Sequence, residues 1–492
     1  MSKQPKKLEE LELLDLGKKE TVGQIIDGLS KCSFGARMLG EVCRSIYEML
    51  KAGKEAVVIY DGKGDSPLKK LLENMRQKGW FRSVVQPENF PTTKNQKSNL
   101  IVLGDFSQRF EDDIFACSGK KIFINETRKA APGQCKDGFF PDAIFTDPAY
   151  AVALVNLYLE EKIDGRKTAV DEKFLDYLES FGGLASKVCA GAKNLAKMAA
   201  DKDCTVLMTM SGAMTIAQMG LVLCDMLDKK IIQSLTTTGA AMAHGLVESM
   251  GLKHYKHNPL VSDRVLAEKR LNRVTDTLEP EENFDHIDDI MKVVLDGLSK
   301  ENPISPSRFH RELGIYLAKK FPEERGILKS AYLSEVPVFV PAFWDSELGN
   351  DIYTYNLLQR AAGKPPVNID LEPDNALLID IVQKAKRIGI FTVGGGVPRN
   401  WTQNVGPLIE LINGRAEKLM KKGIIKKLRE NPFMYGVRIC PDVMDTGHLS
   451  GCTYSEGMTW RKMNPKGSFV EIQADATIVW PFLIKYVLGI MD

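Results

Sequence analysis

The 492-residue chain is 44% hydrophobic, 26% charged and 8% aromatic, the profile of an ordinary globular protein with roughly two or three domains. A formal net charge of +2 gives no case for binding nucleic acid or a membrane surface. The longest apolar run, "ATIVWPFLIKYVLGIM", is broken by Pro481 and Lys485 and is too short to span a bilayer.

The amino-terminal stretch "MSKQPKKLEELELLDLGKKE" is charged throughout and lacks the apolar centre of a signal peptide. Nine cysteines, an odd number with no CxxC, fit reduced thiols, so a cytoplasmic protein is expected. Residues 1–52 read as a helical segment, with "SFGARMLGEVCRSIYEML" beginning at Ser33. The first buried strand is "AVVIY" at 56–60. It leads into "DGKGDSP", where Gly62 and Gly64 resemble the start of a dinucleotide fingerprint. The third small residue of that pattern is replaced by Pro67, so a tight turn is expected, followed by a helix capped by Ser66.

Further strands are expected in "NLIVLGD" (99–105), "KKIFINE" (120–126) and "DAIFTDP" (142–148), with a polar loop at "PENFPTTKNQKS". This 53–170 segment reads as an inserted α/β piece of unknown role, joined through "LEEKIDGRKTAVDEK" to a core at 171–492. A second SFG begins at Ser180, and like the first it precedes a helix carrying Val-Cys, a basic turn and a strand, here "CTVLMTM" (204–210).

In "SLTTTGAAMAHGL" (234–246), a strand-like run ends in threonines that open a small-residue helix. Its N-terminus could take an anion or simply be capped by a threonine. His254 and His257 of "HYKH" have no Cys or acid cluster beside them in sequence; they read as a loop or surface pair, and no metal is expected. "RFHRELGIYLAKKF" repeats Phe309, Leu313, Leu317 and Phe321 on one helical face behind the Ser305-Pro306 start signal.

Strands are expected again at "VPVFVPA" (336–342), "GIFTV" (389–393) and "GVRIC" (436–440). Apolar strands alternating with amphipathic helices make the fold class α/β, a parallel sheet covered on both sides. After "GIFTV" come Gly394, Gly395 and Gly396, whose bare backbone either approaches a phosphate or sugar or makes a sharp turn. Asp345, Asp445 and Asp475 follow strand ends, where a carboxylate binds ribose or a cation, or caps a helix. Lys462 in "SEGMTWRKMNP" stands beside Trp460 and Arg461, ahead of an expected Pro-Lys-Gly turn. It is either a surface lysine or an amine held in a pocket so that it can lose its proton and attack carbon.

The blocks "TVLMTMSGAM", "TTGAAMAHGL", "HYKHNP", "VPVFVPAFWDSELG", "GGGVPRNW", "DTGHLSG", "SEGMTWRKM" and "ADATIVWPFL" resemble, in order and character, those of deoxyhypusine synthase. The resemblance covers about 176–492 plus "SFGAR". It implies a Rossmann-like doubly wound sheet, a homotetramer, and NAD-dependent transfer of the 4-aminobutyl group of spermidine through a lysine imine. The acceptor would be a lysine of translation initiation factor 5A, or putrescine giving homospermidine. The imine lysine falls on Lys462, and the substrate-binding positions on Glu456, Trp460, His244 and Asn400. NAD would meet Gly212, Ala213, Thr237, Thr238, Gly239, Asp345, Gly394, Gly395, Gly396, Asp445, Ala474 and Asp475.

The chain departs from the eukaryotic pattern at Asn350 (Asp351 adjacent), at Asn400 and Trp401, at His448 or Leu449, and from the usual family residue at Gly245. "GGGVPRN" and "DTGHLSG" look like the bacterial-type branch, several of whose members resemble homospermidine synthases. A small residue is usual where Arg461 stands. The alternative reading is a catalytically silent paralogue that regulates an active partner, although the presence of Lys462 weighs against it.

Overall fold

Apolar strands pair in parallel in both main sheets of the computed structural model, which describes residues 8–62, 65–90, 98–104, 114, 118–126, 143–298, 300–444, 447 and 450–491. The chain forms two compact units. One comprises Met1–Cys189, Tyr255–Lys269 and Arg273–Leu278; the other comprises Ala190–His254, Arg270–Asn272 and Glu279–Asp492.

The first unit holds a five-stranded parallel sheet of β1 (Ala56–Tyr60), β2 (Ser83–Val85), β3 (Asn99–Leu103), β4 (Lys121–Asn125) and β5 (Ala143–Phe145), in the order β2-β1-β3-β4-β5. Ser66 caps the helix Pro67–Gln77 by accepting from the Lys69 amide, and Pro67 takes the first position, where no amide is needed. Leu68, Leu71, Leu72 and Met75 give this helix one buried face. The helix Pro148–Asp164 is capped by Asp147 and is buried along most of its length. The two SFG segments differ locally. Ser33 directly precedes the helix Phe34–Lys51, whereas Ser180 ends the helix Glu172–Glu179 and the next begins at Gly183.

Phe34 holds the left-handed region at φ 57°, a strained state for a bulky residue, because its amide donates to the Asp276 carboxylate. The same carboxylate pairs with Arg37, whose side chain is fully buried.

In the second unit the sheet contains β6 (Cys204–Met210), β7 (Ser234–Thr236), β11 (Val338–Phe339), β12 (Arg387–Val393), β13 (Phe433–Ile439) and β14 (Met463–Ile472). The short strands β8 (Tyr255–Lys256), β9 (Leu271–Val274) and β10 (Thr277–Pro280) lie between in the chain. The six strands are all parallel and ordered β11-β7-β6-β12-β13-β14. Chain direction across the sheet therefore reverses between β6 and β12. Met210, Val393, Ile439 and Ile472 lie level in register, so the loops after these strands leave from one edge.

Two strands differ from the sequence reading. β11 shrinks to Val338–Phe339 because Pro337 and Pro341 flank it at the sheet edge. The expected Pro-Lys-Gly turn is part of β14, carried as a register irregularity between the Phe433–Met463 and Tyr435–Ser468 pairs. β14 is the other edge strand, where a missing proline N–H breaks no ladder on the open side. The apolar carboxyl-terminal run forms the largely buried helix Ala476–Met491 with Pro481 inside it. Among the described residues no helix is long and apolar enough to cross a membrane.

Replacing Asp276 with Ala strands the Arg37 charge in the interior. We expect a loss of about 3–5 kcal/mol, read as a lowered urea midpoint, with a smaller loss when Arg37 is also replaced by Met.

Candidate active site

The site grows from the level carboxyl ends of the second sheet. Gly212 and Ala213 follow β6; Thr237, Thr238 and Gly239 follow β7; Asp345 follows β11; the three glycines follow β12; Ala474 and Asp475 follow β14. A parallel sheet sends all of these to one edge, and ligands of such sheets gather there, where strand order reverses. Asp445, His448 and Leu449 lie outside the described residues.

Gly394 sits at φ 82°, and a Cβ on it would lie 2.3 Å from Ser211 Oγ. A Cβ on Gly395 would meet Ser450 Cβ at 2.8 Å, and the Gly395 amide donates to Ser211 Oγ at 2.8 Å. Gly212 (φ 84°) and Gly396 (φ 63°) also need the left-handed region. The backbone at Gly396 opens onto free space. Thr238 caps the helix Gly239–Ser249 by accepting from the Ala241 amide. Thr237 is buried, and its hydroxyl has no hydrogen bond. Asp475 caps its helix, accepting from the Thr477 amide and hydroxyl, both at 2.9 Å. Asp345 is exposed.

Beside this edge is a cleft of about 590 Å³ lined by Gly396, Arg399, Asn400, Glu456, Trp460 and Lys462, among others. Lys462 owes its place to a helix end. The helix Tyr454–Thr459, capped by Thr453, closes with the Arg461 amide donating to Met458 O and the Lys462 amide to Gly457 O. This is a Schellman ending with Arg461 in the left-handed position at φ 57°. The Phe433 amide then donates to Lys462 O, and the lysine enters β14. A φ in this region is one that glycine holds at no steric cost and an arginine does not.

Lys462 is half-buried, and its Nζ donates to Asn400 Oδ1 at 3.2 Å. Burial first, and the Arg399 guanidinium second, lower its pKa from the ordinary lysine value, while Cys452 and Glu456 oppose the shift. Arg461 is exposed and paired with Glu410, while Trp460 is 63% exposed with its ring centroid 6.0 Å from Nζ.

Arg399 is the residue the sequence reading missed. It is buried and donates to the carbonyls of Ser450 (2.9 Å) and Cys452 (2.6 Å). Arg438, also buried, donates to the Gly451 carbonyl at 3.1 Å and to that of Cys452. Both belong to quoted stretches, but nothing in their spacing says that they meet. Trp401 turns away and stacks on Phe339, 5.2 Å between centroids.

His244 does not line the Lys462 cleft; it lies against Glu279. Burial works against its charged form, but the Glu279 carboxylate overrides burial and raises its pKa. His254 and His257 are buried rather than surface residues. A Cβ on Gly245 would make ordinary contacts with Ile327 at 3.4 Å and Thr215 at 3.5 Å. Asn350 is exposed, and next to it the Asp351 carboxyl is pushed up to about 6 by burial and by Asp288 and Glu347.

The family model for deoxyhypusine synthase matches residues 173–487. The chain belongs to the deoxyhypusine synthase family. Two proteins of Archaeoglobus fulgidus named probable deoxyhypusine synthase 1 and 2 are similar to it. They are 30% identical over 64% of this chain and 94% of theirs, and 32% identical over 60% and 90%. A deoxyhypusine synthase-like protein of Chlorobaculum parvum is 29% identical over 60% of this chain and 81% of its own. The family match takes in the whole six-stranded sheet and the Lys462 cleft; the five-stranded sheet lies before it.

Two measurements check this geometry. Arg399→Met removes the positive charge that disfavours the Lys462 ammonium, so the pH midpoint of Lys462 labelling by an amine-reactive reagent shifts upward, and Arg399→Lys shifts it less. Arg461→Gly relieves the left-handed backbone and raises stability by up to about 1 kcal/mol, read by urea denaturation, since the exposed ion pair it removes contributes little.

Proposed function

We propose that the chain is an NAD-dependent aminobutyl transferase. It takes the 4-aminobutyl group of spermidine onto Lys462 as an imine and passes it to an acceptor amine. The observation that carries this reading is the half-buried Lys462 amine in a cleft, its pKa lowered by burial and by Arg399. An amine attacks carbon only in its neutral form, and a free lysine at neutral pH is almost wholly protonated.

The residues present fit the cofactor. Gly394 and Gly395 leave no room for side chains, Gly396 opens onto free space, and Thr237 offers an unpaired buried hydroxyl. The strand order, reversing between β6 and β12, supports a Rossmann-like doubly wound sheet for 171–492. Gly212, Ala213, Thr238, Gly239, Asp345, Ala474 and Asp475 stand at the same edge and would complete the binding surface, together with Asp445 as the resemblance implies. When bound, NAD supplies the two-electron oxidation of spermidine and returns the electrons at the end.

The chain's own residues do the rest. Asn400 Oδ1 accepts from Lys462 Nζ and fixes the direction of the amine. Lys462 attacks the oxidised carbon, the bond to 1,3-diaminopropane breaks, and the butyl group stays on Nζ as an imine. The acceptor amine then displaces Lys462. Glu456 and the open face of Trp460, both exposed in the cleft, suit a substrate ammonium. The family resemblance supports a cytoplasmic homotetramer. It also supports 53–170 as an addition to the family core, since the match begins at 173.

The acceptor is a lysine of translation initiation factor 5A or putrescine. Mass spectrometry of products from NAD and spermidine, with and without putrescine, separates the two. Homospermidine formed only with putrescine marks a small-amine transferase; diaminopropane without homospermidine marks a protein acceptor. Lys462→Ala is expected to abolish every product. Should wild-type protein form none, the silent regulatory paralogue replaces this reading.

A further inference from the structure

Away from the Lys462 cleft, three side chains that no step above uses converge in the second unit. His244 comes from the helix Gly239–Ser249, His254 from just before β8, and Glu279 from β10. Their ligand-capable atoms all lie within 4.8 Å of one another. His244 Nδ1 is 2.5 Å from Glu279 Oε2, and His254 Nε2 is 3.4 Å from Glu279 Oε1. Glu279 and His254 side chains are 1% exposed and His244 13%, so the cluster is closed on most sides and open at the edge of one imidazole.

Close contact does not mean hydrogen bonding here. Both ring nitrogens and both carboxylate oxygens are buried, and none has a hydrogen bond of good geometry. Buried polar atoms without partners are rare and call for a cause. Ligand-capable atoms gathered this closely in the interior are an arrangement that a shared cation satisfies. Gln218 Nε2 lies 3.1 Å from the far nitrogen of His254, Nδ1. Phe284 packs edge-on against His244, 5.8 Å between centroids.

We propose that His244, His254 and Glu279 bind a divalent transition-metal ion of the zinc class. Two imidazoles and a carboxylate are the ligand set such ions take, and three protein ligands leave a further position open. The ion ties the helix Gly239–Ser249, which starts at the sheet's carboxyl edge, to Glu279. The proposal is independent of the aminobutyl-transfer reading.

The test uses full-length protein stripped with a chelator and titrated with Co²⁺. Uptake of one ion per chain, with visible ligand-field absorption displaced by Zn²⁺, is expected, together with a rise in Tm on adding Zn²⁺. Glu279→Gln and His254→Gln should weaken binding by more than about 100-fold, since a ligand matters more than its outer partners. The exposed His286→Gln should leave it unchanged. X-ray absorption of the zinc-loaded wild type gives a second reading that does not depend on the buried variants folding: two imidazoles and oxygen at about 2.0–2.1 Å, with no sulfur. Failure of folded wild type to take up one ion, sulfur in the zinc shell, or undiminished binding by the folded Glu279→Gln protein overturns the proposal and leaves a His–Glu–His charge network.

Discussion

Two buried guanidinium groups, Arg399 and Arg438, donate to the consecutive carbonyls of Ser450, Gly451 and Cys452, and the site hangs from that clamp. A buried carbonyl without a donor is costly, and a buried guanidinium without acceptors more so, so each satisfies the other. Ser450, whose carbonyl the clamp holds, lies so near Gly395 that a Cβ there would meet it at 2.8 Å. It also sets the start of the helix Tyr454–Thr459, whose Schellman ending delivers Lys462. Arg399 thus acts twice: it fixes the loop and brings a positive charge to the cleft where Lys462 lies.

That economy depends on the sheet. Six parallel strands with Met210, Val393, Ile439 and Ile472 in level register deliver glycines, hydroxyls and carboxylates to one edge from loops far apart in the chain. A cleft of similar size, about 630 Å³, lies at the opposite edge, lined by Thr205, Gln233, Val338 and Ala385 at or just before the strand starts. It has a buried histidine, His310, but no amine placed as Lys462 is. The first unit carries a parallel sheet of its own in the order β2-β1-β3-β4-β5, and the family match begins beyond it.

Much of this was legible in the sequence because it is written locally. β6 and β12 are runs of apolar residues, several of them β-branched, too long and too continuous to be anything but buried strands. Ser66, Ser305 and Thr238 announce their helices because a cap acts over three residues. The ordered blocks around Gly394–Gly396 and Lys462 sufficed for the family, since a family pattern also runs along the chain. β14 was hidden because Pro465 and Gly467 are turn residues everywhere except in an irregular edge strand.

What the sequence alone determined is therefore the α/β class, most of the strands and helix starts, and the family. Only the tertiary structure decided which cation acts on Lys462: Arg461, its neighbour in sequence, turns to Glu410, and Arg399, from the helix Gly396–Gln403 after β12, acts instead. Only it brought Glu279 to His244 and His254, or turned Trp401 into the core and Asn400 toward Lys462. Charge and desolvation act through space over a few ångströms, and proximity along the chain does not encode that distance.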